Sequence, residues 1–178
     1  MSDVGVKRLV FSSTAAVYGR PSQNPVNEMQ ARSPISPYGQ SKVMTEDAID
    51  ECRKSDGLGY SVLRYFNVAG AHPDGTIGED HTPESHLVPR VLSSALNEKN
   101  QISIFGTDYP TPDGTCVRDY IHIMDLIAAH ILAMEMTTPG KGDVFNLGSE
   151  KGFSVREVIK ACERATNKKL SYTEEGRR

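Results

Sequence analysis

Ser36-Pro37-Tyr38-Gly39-Gln40-Ser41-Lys42 lies between two apolar runs, Leu9-Val10-Phe11-Ser12-Ser13-Thr14 and Ser61-Val62-Leu63-Arg64-Tyr65-Phe66-Asn67. Each run reads as a buried strand that ends in polar groups. Ser36 suits a helix N-cap and Pro37 the first turn. The pattern predicts a helix over 37–54, stopped near Gly57 and Gly59. Strand, helix, strand is the crossover unit of a parallel sheet. In such sheets ligands bind beyond the carboxyl ends of the strands. Thr14, Asn67 and the helix start all fall at that edge. Tyr38 and Lys42 are four residues apart and share a helix face. A cation beside a phenol favours the phenolate, which a phenolic general base requires. Alone, the pair reads first as two residues on a solvated helix face. Its place in the crossover unit is what favours chemistry.

The chain has 178 residues, enough for one respectable core or two small ones. A net charge of −3 and an isoelectric point near 6.0 give no support for binding nucleic acid or a membrane surface. No apolar run is long enough to span a bilayer, and the first residues carry no signal-peptide core. Cys52, Cys116 and Cys162 are odd in number and far apart. They fit reduced thiols in a cytoplasmic protein rather than a disulfide framework or a zinc site. His72, His81, His86, His122 and His130 show no metal-ligand spacing, so no metal is expected.

Further elements follow the punctuation. Strands are predicted at 7–12, 60–66, 102–105, 116–121 and 143–147, with a last one at 170–173. Residues 20–35 and 68–85 read as long polar loops. Helices are predicted at 87–97, at 124–136 and after Ser154, where Glu157 completes a capping box. In the 124–136 helix, Leu126, Ala129, Ile131 and Ala133 predict a wide buried surface.

Ser12-Ser13-Thr14-Ala15-Ala16-Val17-Tyr18-Gly19, the Tyr38/Lys42 pair and Arg64-Tyr65-Phe66-Asn67 resemble the extended short-chain dehydrogenase/reductase superfamily. Later blocks narrow the likeness. Gly70-Ala71-His72-Pro73-Asp74-Gly75, Gly78-Glu79-Asp80-His81, Ser85-His86-Leu87-Val88-Pro89, Ile104-Phe105-Gly106-Thr107-Asp108-Tyr109-Pro110-Thr111 and Gly114-Thr115-Cys116-Val117-Arg118-Asp119-Tyr120-Ile121-His122 resemble the UDP-glucose 4-epimerases. The resemblance runs from about Val6 to Arg178. It implies an α/β fold: the late part of an NAD-binding Rossmann domain, as a partial doubly wound parallel sheet, with a smaller α/β domain for the UDP-sugar. Residues 1–67 and about 140–149 would belong to the first, and 68–139 and 150–178 mainly to the second. The family's glycine-rich dinucleotide turn is absent from these 178 residues. The expectation is therefore a carboxyl-side fragment, inactive alone. The alternatives are a non-enzymatic UDP-sugar-binding or dimer-partner fragment, and a related UDP-hexosamine or UDP-pentose epimerase.

The resemblance also implies roles. Tyr38 is the base, Lys42 binds the nicotinamide ribose and tunes the phenol, and Thr14 hydrogen-bonds the reacting oxygen. Ser12, Tyr38, Lys42 and Phe66 touch NAD. Thr14, Asn67, Leu87, Ile104, Phe105, Arg118 and Arg178 touch the UDP-sugar, the arginines through the diphosphate. Without the resemblance, Thr14 reads as a strand-end hydroxyl, Phe66 as core, Asn67 as a turn amide, Ile104 and Phe105 as plain strand, and Arg118 as an ion pair with an acid. The role of His86, which stands where some members have asparagine, stays open. Ala15-Ala16 occupy the place where sugar-nucleotide 4,6-dehydratases carry an Asp-Glu pair, so epimerisation is expected over dehydration. A homodimer is implied, through helices that include the Tyr38/Lys42 helix.

Overall fold

The computed structural model describes residues 1, 4–21, 23–97 and 101–177. Its fold is α/β, as the sequence predicts. The chain forms two compact units, Met1–Val68 with Ile121–Glu150, and Ala69–Tyr120 with Lys151–Arg178.

The first unit is built on a parallel sheet of order β1-β2-β6, from Arg8–Thr14, Gly59–Tyr65 and Gly142–Leu147. The register places Ser12 beside Leu63 and Thr14 beside Tyr65. Strand β2 lies in the middle, and Ser61, Val62, Leu63 and Arg64 are all buried. Continuous burial of that kind marks a strand covered on both faces. Side chains alternate across a strand, and the contacts show which helix covers which face. Helix α1, Pro37–Asp56, reaches Ser13 and Arg64 through Glu46. Helix α3, Ile123–Met136, reaches Ser12 through His130, and Thr137 just beyond its end reaches Ser61. The two helices therefore cover opposite faces.

Ser36 caps α1 as expected, its hydroxyl accepting from the Gly39 amide at 3.1 Å. Gly57 closes the helix in a left-handed conformation. Two other glycines let the chain fold tightly around the start of α1. A Cβ on Gly19, whose φ is +64°, would sit 1.9 Å from the Ser33 carbonyl oxygen. A Cβ on Gly39 would sit 2.7 Å from that of Ala16. The second approach seats the start of α1 against the 3-10 turn Ala15–Tyr18, an element the sequence does not announce.

Helix α3 departs from expectation. Leu126, His130, Ala133 and Thr137 form the packed stripe, while Ile131 is half exposed, with Ile127, Leu132, Met134 and Met136 also open. A helix on a sheet buries one line of residues at i, i+4, i+7 and i+11. An all-apolar sequence does not reveal which line. The same stripe ties α3 to β1 and β2, so the contacts place residues 121–139 with the first unit rather than the second.

The second unit packs α2, Leu87–Leu96, against α4, Val155–Thr166. Its core is Val91, Ala95, Ile102, Ile104, Val158, Ile159, Cys162 and Leu170. Strands β4, Ile102–Phe105, and β8, Tyr172–Glu175, pair in parallel. Strand β5, Val117–His122, pairs antiparallel with β7, Gly152–Ser154. Ser154 and Glu157 make the expected capping box on α4. Strand β3, Asn67–Ala69, and β7 are three residues long and are not among the predicted strands; β3 runs into the predicted loop 68–85. Among the described residues no helix is long and apolar enough to cross a membrane.

The last turn of α1 gives a pH-dependent contribution. Arg53 and Lys54 hydrogen-bond Asp50, as does the Tyr60 phenol, and together they hold Asp50 at about 2 against an ordinary 3.8. The folded value is lower than the unfolded one. The stabilisation is therefore complete above about pH 4 and is lost as pH falls through about 2. Denaturant titrations of the wild type and of Asp50→Asn should differ at neutral pH and converge between these limits. A gap independent of pH would contradict this.

Candidate active site

At the carboxyl end of β1, the Lys42 ammonium donates to the Ser12 carbonyl oxygen at 3.0 Å. It lies 5.0 Å from the centre of the Phe11 ring and 5.7 Å from that of Tyr38, within cation–π range of both. The structure thus brings Tyr38, Lys42 and Ser12 together. Tyr38 is 54% exposed, so its phenol faces open space. Thr14 is buried, and its hydroxyl oxygen accepts from the Ala16 amide at 3.2 Å, capping the 3-10 turn. Its O–H is not used by that bond. Phe66, next after β2, is half-buried and donates its amide to the Leu147 carbonyl. Asn67 is exposed.

Two residues join this group that sequence reasoning missed. His130 Nδ1 sits 2.8 Å from the Leu126 carbonyl, which can only accept. In the neutral ring, Nε2 is then the acceptor for the Ser12 hydroxyl at 2.7 Å. Tyr65 packs beside His130, with ring centres 6.3 Å apart. Burial pushes the Tyr65 phenol up, a hydrogen bond to Ser12 opposes this, and the nearness of Tyr38 adds to the rise. The only sequence signal was a histidine inside an apolar helix, which reads as core.

Beneath the site lies a polar network. Glu46, two turns along α1 from Tyr38, is 4% exposed at its side chain and Arg64 on β2 is 6% exposed. Arg64 grips Glu46 in a fork, with Nη2 to Oε2 at 2.6 Å and Nε to Oε1 at 3.0 Å. The Ser13 hydroxyl donates to Oε1 at 2.5 Å, and Arg32 reaches Oε2 at 3.2 Å. Arg64 also donates to the Tyr18 hydroxyl at 2.9 Å, which donates to Asn146 at 2.7 Å. Burial alone would lower the Arg64 pKa; Glu46 and Tyr18 outweigh it and hold the guanidinium above its ordinary value.

The remaining expected residues lie in the second unit. Ile104 is buried in the core and Phe105 is half-buried, followed by Gly106 with φ of +86°. Beyond Gly106 opens a cleft of about 510 Å³, lined by Gly106, Thr107, Asp108 and Glu174 through Arg177. Arg177 stacks on Tyr109 and bonds Asp108 at 2.7 Å. Leu87 starts α2 and packs on the core. Arg118 is exposed, with a donor turned to the Val117 carbonyl. Arg178 lies outside the described residues. Loop residues Glu79, His81, Glu84 and His86 come together, although their spacing reads as no metal motif.

Comparison with known proteins agrees with this architecture. Residues 1–148 match the family described as NAD dependent epimerase/dehydratase. The chain is 53% identical over 167 residues to the UDP-glucose 4-epimerase of Halalkalibacterium halodurans, covering 93% of this chain and 50% of that protein. It resembles the crystal structure of UDP-glucose 4-epimerase from Brucella ovis in complex with NAD, with a TM-score of 0.93 and 40% identity. That match covers 99% of this chain and 55% of the other. The Bifidobacterium longum enzyme in complex with NAD+ and UDP gives 0.93 and 39%, covering 100% and 54%. The chain spans about half the length of the curated relatives it matches.

Arg64→Ala leaves the Glu46 carboxylate buried with, among the described residues, the partly exposed Arg32 as its remaining counter-ion. We expect a loss of about 3 kcal/mol or more by urea denaturation, and a smaller loss when Glu46→Leu is added to Arg64→Met than for Arg64→Met alone. A cost under about 1 kcal/mol would show that the pair is solvated instead.

Proposed function

The chain belongs to the NAD dependent epimerase/dehydratase family, and from that premise we propose that it carries the catalytic-base and UDP-sugar-binding portion of a UDP-glucose 4-epimerase. The observation that carries the reading is the Lys42 bond to the Ser12 carbonyl with the Tyr38 phenol open beside it at the sheet's carboxyl edge.

In this reading Tyr38 removes the proton from the hexose 4-hydroxyl and later returns it. Thr14 donates its O–H to the same oxygen. Lys42 has three N–H donors and uses one on Ser12. The ammonium can therefore hold a ribose hydroxyl with the two that remain. Such a donor set, beside the Ser12 carbonyl, fits a nicotinamide ribose, and in this reading Phe66, next after β2, also touches NAD. When bound, NAD would supply hydride-transfer chemistry at sugar carbon 4. Asn67, Leu87, Ile104, Phe105, Arg118 and Arg178 hold the UDP-sugar. Ala15 and Ala16 follow Thr14 with no acid to drive elimination of water, which supports epimerisation. The reading extends to a homodimeric cytoplasmic enzyme of galactose metabolism. Met44, which α1 leaves exposed, supports an interface on that helix.

The test uses the purified chain with NAD and UDP-galactose, reading UDP-glucose formed and, by calorimetry, the binding of NAD and UDP. Tyr38→Phe should lower conversion by about 10²- to 10⁴-fold with UDP binding unchanged. Lys42→Met should weaken NAD binding as well. A folded wild-type chain that binds neither ligand, or one whose conversion is unchanged in Tyr38→Phe, would contradict the reading.

A further inference from the structure

Four side chains able to bind metal converge in the polar loop of the second unit. Glu79, His81, Glu84 and His86 each present one donor atom, and all four lie within 4.8 Å of one another. His81 Nδ1 is 3.2 Å from Glu79 Oε1 and 3.5 Å from Glu84 Oε2. His86 Nδ1 is 3.3 Å from Glu84 Oε1 and closer still to Glu79 Oε1. Zinc–ligand bonds of about 2.0–2.1 Å in a tetrahedron put neighbouring donors about 3.3 Å apart. With one oxygen per carboxylate, the separations near that edge are His81 to Glu79 and one of the two imidazole contacts of Glu84, which meets His81 and His86 through different oxygens.

The surroundings suit a cation. The carboxylates are the more buried pair, at 20% and 21% exposed, and the imidazoles the more open, at 54% and 56%. The carboxylates thus form a floor and the rings a mouth. The rings meet edge to face, 5.0 Å apart. Glu84 Oε1 accepts the amides of Ser85 and His86, both at 2.7 Å. Such support outside the donor set fixes a ligand's orientation. Two carboxylates exactly balance one dication. Two imidazoles and two carboxylates, four donors in all, favour zinc over calcium or magnesium, which take oxygen donors at higher coordination.

We propose that Glu79, His81, Glu84 and His86 form a zinc site that fastens the loop to the start of α2. His86 is the N-cap residue of α2 and makes no side-chain cap bond. Its ring turns to the carboxylates instead. The ion therefore sets where α2 begins and fixes the backbone at Leu87. This site stands independently of the epimerase reading.

The experiment strips the full chain with a chelator, reloads it with zinc alone, and measures bound metal by atomic emission and affinity by calorimetry. One zinc per chain is expected, held at least 100-fold more weakly by the double variant His81→Ala/His86→Ala. His72→Ala, which alters an exposed histidine outside the cluster, should bind like the wild type. The zinc-edge X-ray absorption spectrum of the wild type needs no variant, and should show only nitrogen and oxygen neighbours with imidazole scattering. A folded wild-type chain that retains no zinc would overturn the site. Equal zinc binding by the double variant, or sulfur in the zinc shell, would overturn it too.

Discussion

A buried carboxylate gripped by a buried guanidinium holds this fold in its working geometry. Glu46 belongs to α1 and Arg64 to the central strand β2. Each charge would be costly alone in the interior, so the pair tolerates little rotation or sliding of the helix on the sheet. Ser13 adds a third contact from β1, in register beside Arg64. Tyr38, Lys42 and Glu46 recur every four residues and so share one face of α1. Fixing Glu46 over β2 fixes Lys42 over the Ser12 carbonyl and Tyr38 at the end of β1. The ion pair contributes orientation more than net stability, because replacement of both partners by apolar residues is often tolerated in proteins.

Opposite faces of β1 thus serve different ends. Ser13 faces α1 and the ion pair, while Ser12 faces α3 and bonds His130. The Ser12 carbonyl is left for Lys42. Three consecutive residues, Ser12, Ser13 and Thr14, are each engaged by a different partner at the end of β1. Close approaches at Gly19 and Gly39 bring the helix start down onto this edge.

Much of this was legible in the sequence because it is local. The crossover unit follows from two apolar runs and a Ser-Pro helix start. The Ser36 cap and the Ser154/Glu157 capping box lie within three residues of their partners. Tyr38 and Lys42 are legible because four-residue spacing on a helix is itself a contact rule. What could not be read depends on distant pairing. Glu46 and Arg64 are ordinary surface residue types until α1 and β2 are placed together. His130 reads as core until Ser12 stands 2.7 Å from its ring. Apolar residues all round α3 hide which stripe packs. Glu79, His81, Glu84 and His86 lie at irregular spacing in a loop, where no helix or strand period predicts convergence. Three-residue strands such as β3 and β7 carry too little pattern to see.

The proposed reaction at a sugar hydroxyl requires a phenol and an ammonium held together at the sheet's carboxyl edge. A crystal structure of the chain with NAD and a UDP-hexose tests it most directly. It should place the Tyr38 phenol and the Thr14 hydroxyl both within hydrogen-bond distance of the hexose 4-oxygen, with Lys42 still on the Ser12 carbonyl. A bound hexose whose 4-oxygen lies away from Tyr38, or a Lys42 that has left Ser12, would contradict it.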